Sequence, residues 1–387
     1  MKNKLIILSK KLVFDSNDNI KTEFEDFHQK VIEQNIKIVV VTNKASKLSK
    51  KLSKYNMCVA YTRNYVKKQT RENRKELGVV VLGVVKEDAY LAFNNQIPLF
   101  KICNHNLIQD VTIDKEIDKY GIELSNIDDL IQYINIISEN ISPYLQHDFS
   151  NQYTIISLFN ANTKGYQTKE NIEYKEEIQS ILKFNRSIKT NKIKMLNLFN
   201  FLLLSECFNN PILQEVNYWG TFPSSEKSND SSTITYIKEV IRKVLNTSKS
   251  NKEILIRTKT ISKKHLSNKK IRNNNKCQSD FESLKINDYY KDKLKGATVC
   301  IIDDYTTYGY SAEAAKNLLL HEGVKKLIVI TLGKYGYVYN EVNYKLTGDL
   351  YKENGYCNEF INSKEHTLIP NNNDNTYFDR IKKIIDI

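Results

Sequence analysis

The chain has 387 residues, 41% of them hydrophobic, which is more than one ordinary domain holds and enough for sizeable cores. Lysine and arginine number 58 against 45 acids, a net charge of +13, and such a balance suits phosphates, pyrophosphate or nucleic acid as partners. No apolar run approaches the about 18 residues of a membrane helix. The six cysteines (58, 103, 207, 277, 300, 357) show no Cys-x-x-Cys spacing, which argues against a zinc ribbon and for a reducing, cytoplasmic setting.

The basic start at Met1–Lys4 leads into a short apolar stretch, Leu5–Leu8, and then Lys10-Lys11, too short for a signal peptide. From there to residue 146 strand and helix patterns alternate. Strands are expected at Leu5–Leu8, Ile36–Val41, Val59–Tyr61, Gly78–Val85 and Ile97–Ile102, the last of the set. Helices are expected at Thr22–Gln34, where Phe24, Phe27 and Val31 share a face, and at Ala45–Tyr55, Tyr65–Leu77, Asp88–Asn94 and Ile127–Ile141. This rhythm predicts a parallel sheet covered on both faces.

Residues 147–189 are polar and mixed and read as a connector. A second α/β unit follows over 190–363, with helices at Met195–Phe208 and Thr233–Leu245 and strands at Val216–Phe222, Ile254–Ile256, Val299–Ile302 and Leu327–Leu332. Residues 364–387 are a polar tail. The fold class is therefore α/β in two domains.

The most informative stretch lies in the second unit. Val299-Cys300-Ile301-Ile302 runs into Asp303-Asp304, then Tyr305-Thr306-Thr307-Tyr308-Gly309-Tyr310-Ser311, then a helical pattern to Leu320. A buried strand, a polar loop and a helix N-terminus make a phosphate cradle. This run resembles the phosphoribosyl pyrophosphate (PRPP) motif of type I phosphoribosyltransferases. The resemblance implies that Asp303 and Asp304 accept hydrogen bonds from ribose hydroxyls, and that residues 305–311 encircle the 5′-phosphate with backbone N–H groups and hydroxyls. Tyr308 and Tyr310 stand where the family has small residues; they either point outward or crowd the loop.

Two further segments fall in the expected order. Val216–Ser225 is similar to the strand and pyrophosphate loop of that family, with Pro223, Ser224 and Ser225 in the loop. The stretch from Arg257, Lys259 and Thr260 through Arg272-Asn273 to Phe281 is similar to the mobile loop of the ComF-like subgroup. It has eight basic residues and no acid between Arg257 and Lys276, and Arg257, Lys259 and Arg272 could close over pyrophosphate. The resemblance implies Mg²⁺ as the PRPP partner, departure of pyrophosphate from the anomeric carbon and a nucleobase-like acceptor; a homo-oligomer is expected as well. An ordinary N-capping turn in a Rossmann-like sheet is the plainer reading of the acid pair.

Residues 5–145 resemble the haloacid dehalogenase-like (HAD) fold with its acids missing. Where the family's first strand ends in Asp-x-Asp, this chain has Ser9 and Lys11. Thr42 matches the phosphoryl-contacting Thr of the second motif. The fourth motif reads Gly83-Val84-Val85-Lys86-Glu87-Asp88, so Asp88 survives and its partner acid is Val84. Without nucleophile and metal acids, phosphatase activity is not expected, and the pocket could bind a phosphorylated ligand or serve only as a scaffold.

A second basic run, Lys44–Lys75, has eleven basic residues and one acid, Glu72; it reads either as an anion surface or as a solvated face. The six histidines are scattered with no i, i+4 pair, which leaves no dedicated metal site in the sequence. Neither a P-loop nor a Gly-x-Gly-x-x-Gly run is present. Scattered tyrosines among lysines leave nucleic-acid binding as a lesser alternative, and a regulator that keeps the fold to sense a nucleotide as another.

Overall fold

The structure, a computed structural model, describes residues 2–103, 105–138, 142–161, 189–227, 233–245, 247, 250–262 and 274–371. The chain is α/β, with a six-stranded parallel sheet and a five-stranded mixed one.

The first sheet is built from β1 (Asn3–Ser9), β2 (Lys37–Val41), β3 (Cys58–Tyr61), β4 (Leu77–Leu82), β5 (Leu99–Ile102) and β6 (Ile122–Leu124), in the order β3-β2-β1-β4-β5-β6. All its pairings are parallel. Its central strands are near-continuous apolar runs because both faces are covered by helices. The helix Glu23–Glu33 buries Phe24, Phe27 and Val31 as its spacing demands. The sixth strand, β6, is an addition to the sequence reading, which ended the sheet at Ile102. Three residues are too few to show a period.

The second sheet has the order β7-β8-β13-β12-β9, from β7 (Leu145–Ser150), β8 (Tyr153–Asn160), β9 (Tyr218–Thr221), β12 (Thr298–Thr306) and β13 (Lys326–Lys334). Two short strands, β10 (Leu255–Arg257) and β11 (Leu284–Ile286), pair with each other, as do the long β14 (Val338–Gly348) and β15 (Tyr356–Thr367). Strands β8, β13, β12 and β9 are mutually parallel, so their carboxyl ends share one edge.

Three expectations are corrected here. Residues 147–160 are not a connector: β7 and β8 form an antiparallel pair at the edge of the second sheet, and every residue of β8 is buried. The acids 303 and 304 lie inside β12, which pairs with β13 as far as Thr306↔Lys334, so the strand does not end at Ile302. The polar tail begins later than 364, since β15 continues to Thr367.

The helix Lys189–Asn209 joins the two sheets. Its Phe201 ring lies 6.1 Å from Phe100 of β5 and 4.3 Å from Tyr133 of the helix Ile127–Ser138. Its Phe199 ring lies 5.7 Å from Phe159 of β8. One apolar cluster therefore runs from the first sheet through this helix to Trp219, Cys300, Ile302 and Ile330 of the second. Burying such aromatic rings contributes on the order of 2–3 kcal/mol each, so separating the sheets would be costly.

Candidate functional site at the carboxyl edge of the second sheet

In open α/β sheets, ligands bind beyond the carboxyl ends of the parallel strands. Here that edge gathers the loop after β9, the end of β12, the loop 307–309 and the turn after β13. The Phe222 N–H donates to the Ile302 carbonyl at 2.9 Å. That bond extends the β9–β12 ladder and sets Pro223 one strand away from Asp303.

Asp303 is half-buried and Asp304 exposed. The Asp303 carboxylate accepts the Asp304 N–H at 2.9 Å, and the Asp304 carboxylate accepts the Tyr305 N–H at 2.6 Å. These are local bonds that hold the acids at the strand end without burying their charge.

After Thr306 the chain turns through Thr307-Tyr308-Gly309 into the helix Tyr310–His321. Gly309 stands at the helix N-cap with φ +87°, and a Cβ there would lie 2.2 Å from the Tyr339 ring. Both the left-handed backbone and the close ring demand glycine. The first-turn N–H groups of the helix point toward the edge, where a helix favours anions. Tyr310 does not point outward: its ring is buried in a separate apolar cluster that includes Leu318, Leu319 and Tyr339, with Tyr308 packed beside it at 6.2 Å between centroids. Tyr305 turns its ring to Phe159 and Tyr335, 6.1 and 5.3 Å away.

Lys334, the last residue of β13, holds this loop from below. It is 1% exposed. Its ammonium donates to the carbonyls of Thr307 (2.6 Å), Tyr335 (2.8 Å), Gly336 (3.0 Å) and Val338 (3.0 Å). Burial pulls its pKa down to about 7, and the carbonyl dipoles act in the opposite sense. Inside the first turn, buried Glu313 accepts the Tyr339 hydroxyl at 2.7 Å and the Val342 N–H at 2.8 Å, and pairs with Lys316 at 2.5 Å. Burial raises the Glu313 pKa, against the pull of Lys316.

The basic segment is where the structure departs most from expectation. Arg257 is 4% exposed and cannot close over a ligand as a mobile residue. It ends β10, pairs with buried Asp280 at 3.2 Å, and donates to the carbonyls of Ser224 (3.0 Å) and Pro223 (3.2 Å) and to the Ser283 hydroxyl (2.6 Å). It is thus a strut beneath the 223–225 loop. Ile261 donates its N–H to the Ser225 carbonyl at 2.9 Å, which lays the start of the basic segment along that loop. Lys259 is half-exposed, 3.9 Å from Glu282. Arg272 lies outside the described residues.

Of the sequence-predicted residues, Asp303 to Ser311, Pro223 to Ser225, Arg257 and Lys259 are thus brought to one edge or directly beneath it. Lys334, Asp280 and Tyr339 were not foreseen. A lysine closing the apolar run Leu327–Gly333 was the available signal for the first. The other two owe their place to tertiary packing.

Among the described residues no group of three His, Cys, Asp or Glu side chains could hold a metal ion. Asp303 and Asp304 supply two carboxylates. Mg²⁺ is commonly held by one or two carboxylates together with substrate phosphates, and the acid pair fits that mode only.

The corresponding edge of the first sheet gathers Ser9, Thr42 and Asp88. Ser9 ends β1 opposite Val41, one residue before Thr42, and its hydroxyl bonds the Asp88 carboxylate. Asp88, 2% exposed, also accepts the N–H groups of Val84 (3.2 Å) and Val85 (3.1 Å) and pairs with Arg63 at 3.2 Å. Burial raises its pKa, and those bonds and Arg63 oppose the rise. The Arg63 guanidinium is therefore the cationic partner of this buried carboxylate. Lys11 is exposed. Nearby, Asp18 is ringed by Lys10, Lys44 (3.0 Å) and Lys47 (3.3 Å), and bonds from these lysines, Lys10 first, hold its carboxyl far below the usual range. Much of the basic surface of 44–51 is thus organised around one acid.

No family model matches the chain, and neither a curated protein nor a solved structure does. Among the described residues no helix is long and apolar enough to cross a membrane.

Proposed function

We propose that the second sheet is a type I phosphoribosyltransferase-like unit that binds PRPP or a related ribose 5-phosphate at its carboxyl edge. In this reading it transfers phosphoribose to or from a nitrogenous base, and the first sheet is a HAD-like unit without phosphatase activity. One observation carries the reading. The acid pair on β12, the turn into the helix 310–321, and the 223–225 loop, motifs separated by some eighty residues of sequence, stand on neighbouring strands at one edge.

The roles follow from the chemistry of these groups. The two carboxylates accept hydrogen bonds from the ribose hydroxyls, and with ligand oxygens they hold Mg²⁺. That ion, when bound, neutralises pyrophosphate charge as it leaves. The helix N-terminus and the Thr306, Thr307 and Ser311 hydroxyls receive the 5′-phosphate. Ser224 and Ser225, propped by Arg257, face the pyrophosphate, with Lys259 alongside. Positive charge developing on the sugar is met by fixed carboxylates, an electrostatic rather than covalent contribution.

The buried Tyr310 and the fixed Arg257 favour a second reading, a non-catalytic sensor of the same ligand, since both make the site stiffer than a closing loop requires. Incubation with PRPP, Mg²⁺ and a panel of purine and pyrimidine bases separates the two. Pyrophosphate release with any base supports transfer. Binding of intact PRPP without release supports sensing, and absence of binding defeats both.

A further inference from the structure

Among the described residues, strand β15 presents an open edge. Its residues 359–365 are all exposed, Phe360 and Ile361 at 46% and 57%, and among the described residues β14 is the one strand it pairs with. Long exposed edges invite pairing with another chain.

The phase of that edge can be derived. On β14, the N–H of Asn340 donates to the Tyr308 carbonyl (2.9 Å), that of Val342 to Glu313 (2.8 Å) and that of Tyr344 to Asn317 (2.9 Å). Even-numbered residues of β14 therefore turn their backbone groups away from β15, and odd-numbered ones turn toward it. The register runs Glu341↔Lys364 and Asn343↔Asn362, then shifts by one residue at Ile361 and continues Lys345↔Glu359 and Thr347↔Cys357. Hence residues 357, 359, 362 and 364 of β15 face β14. Residues 356, 358, 360, 363 and 365 turn their N–H and C=O groups away from β14, to a side where no described strand pairs with them.

The shift makes the strand self-complementary. With a two-fold axis between Ile361 and Asn362, an antiparallel second copy places Phe360 opposite Ser363 and Asn358 opposite Glu365, each outward-facing on both chains, as hydrogen-bonded pairs. Between them Glu359 falls opposite Lys364, twice by symmetry, and Cys357 opposite His366. Among the residues of β15 itself no like charges fall opposite one another, while Lys276 of each copy lies over its own Phe360 ring at 3.6 Å. Without the bulge, residues whose numbers add to an odd sum would face opposite edges, and this pairing would be out of phase. Phe360 and Ile361 lie at the centre of the patch, where apolar side chains contribute most.

We infer that two copies of this chain associate through β15, joining the two β14–β15 hairpins into one four-stranded antiparallel sheet. Sedimentation of the full chain over a concentration series tests it, with three variants: Glu359→Lys, the reversal Glu359→Lys with Lys364→Glu, and Asn358→Pro, which removes an outward N–H and spares the β14 ladder. The wild type is expected to move from monomer to dimer mass. Glu359→Lys should weaken association roughly tenfold by setting Lys against Lys at both pairs, the reversal should restore it, and Asn358→Pro should abolish it. A wild type that stays monomeric at the highest soluble concentration overturns the inference. So does a dimer indifferent to Glu359→Lys and Asn358→Pro, or one that the charge reversal fails to restore.

Discussion

The Arg257 guanidinium lies 3.2 Å from the Asp280 carboxylate, with neither side chain more than 3% exposed. This pair decides what the basic segment does at its start. Asp280 fixes the guanidinium, and the guanidinium fixes the carbonyls of Pro223 and Ser224. A residue whose type suggests ligand contact instead shapes the loop that would make it.

Arg257→Met should therefore act on stability before it acts on binding. Removing one partner of a buried pair costs about 3–5 kcal/mol because the other charge stays buried. Chemical denaturation should show a loss of that order, and Arg257→Met with Asp280→Leu should recover much of it. Amide exchange at Ile261, whose N–H bonds the Ser225 carbonyl, should quicken in the single variant.

Gly309→Ala should be damaging on two counts. The residue sits at φ +87°, and the new Cβ would meet the Tyr339 ring at 2.2 Å. The backbone term alone is about 1–2 kcal/mol, and the clash adds to it because Tyr339 is tied to Glu313 and to Tyr153. Thermal unfolding should report the destabilisation, and an alanine at neighbouring Thr307 should cost far less.

Lys334 gives a pH signature. Its pKa is about 7 in the fold against an ordinary 10.5. Between those values the unfolded chain holds the proton and the folded chain does not. Stability from this group therefore rises with pH across that window, by at most about 1.4 kcal/mol per pH unit. Below pH 7 both states are protonated and the burial penalty is fully felt. Urea titrations from pH 6 to pH 10 should show the wild type gaining on Lys334→Met as pH rises. A pH-independent difference would mean that the carbonyl cage keeps the ammonium charged.

The first sheet should not hydrolyse phosphate monoesters with Mg²⁺. In the HAD-like reading proposed above Ser9 stands where a nucleophile would, and the Asp88 carboxylate is committed to Ser9, two backbone N–H groups and Arg63. A p-nitrophenyl phosphate assay should give no metal-dependent release. Arg63→Ala should leave Asp88 with one partner fewer and lower stability without creating turnover.

Much of this was legible in the sequence. The runs Leu5–Leu8, Ile36–Val41 and Leu327–Leu332 are strands because only apolar side chains survive between two helical layers. The neighbours of the acid pair were legible through order along the chain. What escaped follows from pairing. Tyr153–Phe159 is mostly apolar but is interrupted by Thr154 and Ser157, and its polar surroundings hid it until β13 was there to pair with it. Asp303 and Asp304 look like the end of a strand because their charge breaks the apolar run, yet the ladder to β13 continues past them. β14 and β15 lack a clean alternation because one is half-covered and the other nearly bare. Arg257 shows the limit most plainly, since no local pattern separates a strut from a finger.

The most direct measurement is calorimetric titration of the full chain with PRPP in the presence of Mg²⁺, repeated with Asp303→Asn combined with Asp304→Asn. Saturable one-site binding that the double substitution abolishes, with the fold intact by circular dichroism, is the predicted result. Absence of binding, or binding that both substitutions leave unchanged, would contradict the assignment of this edge.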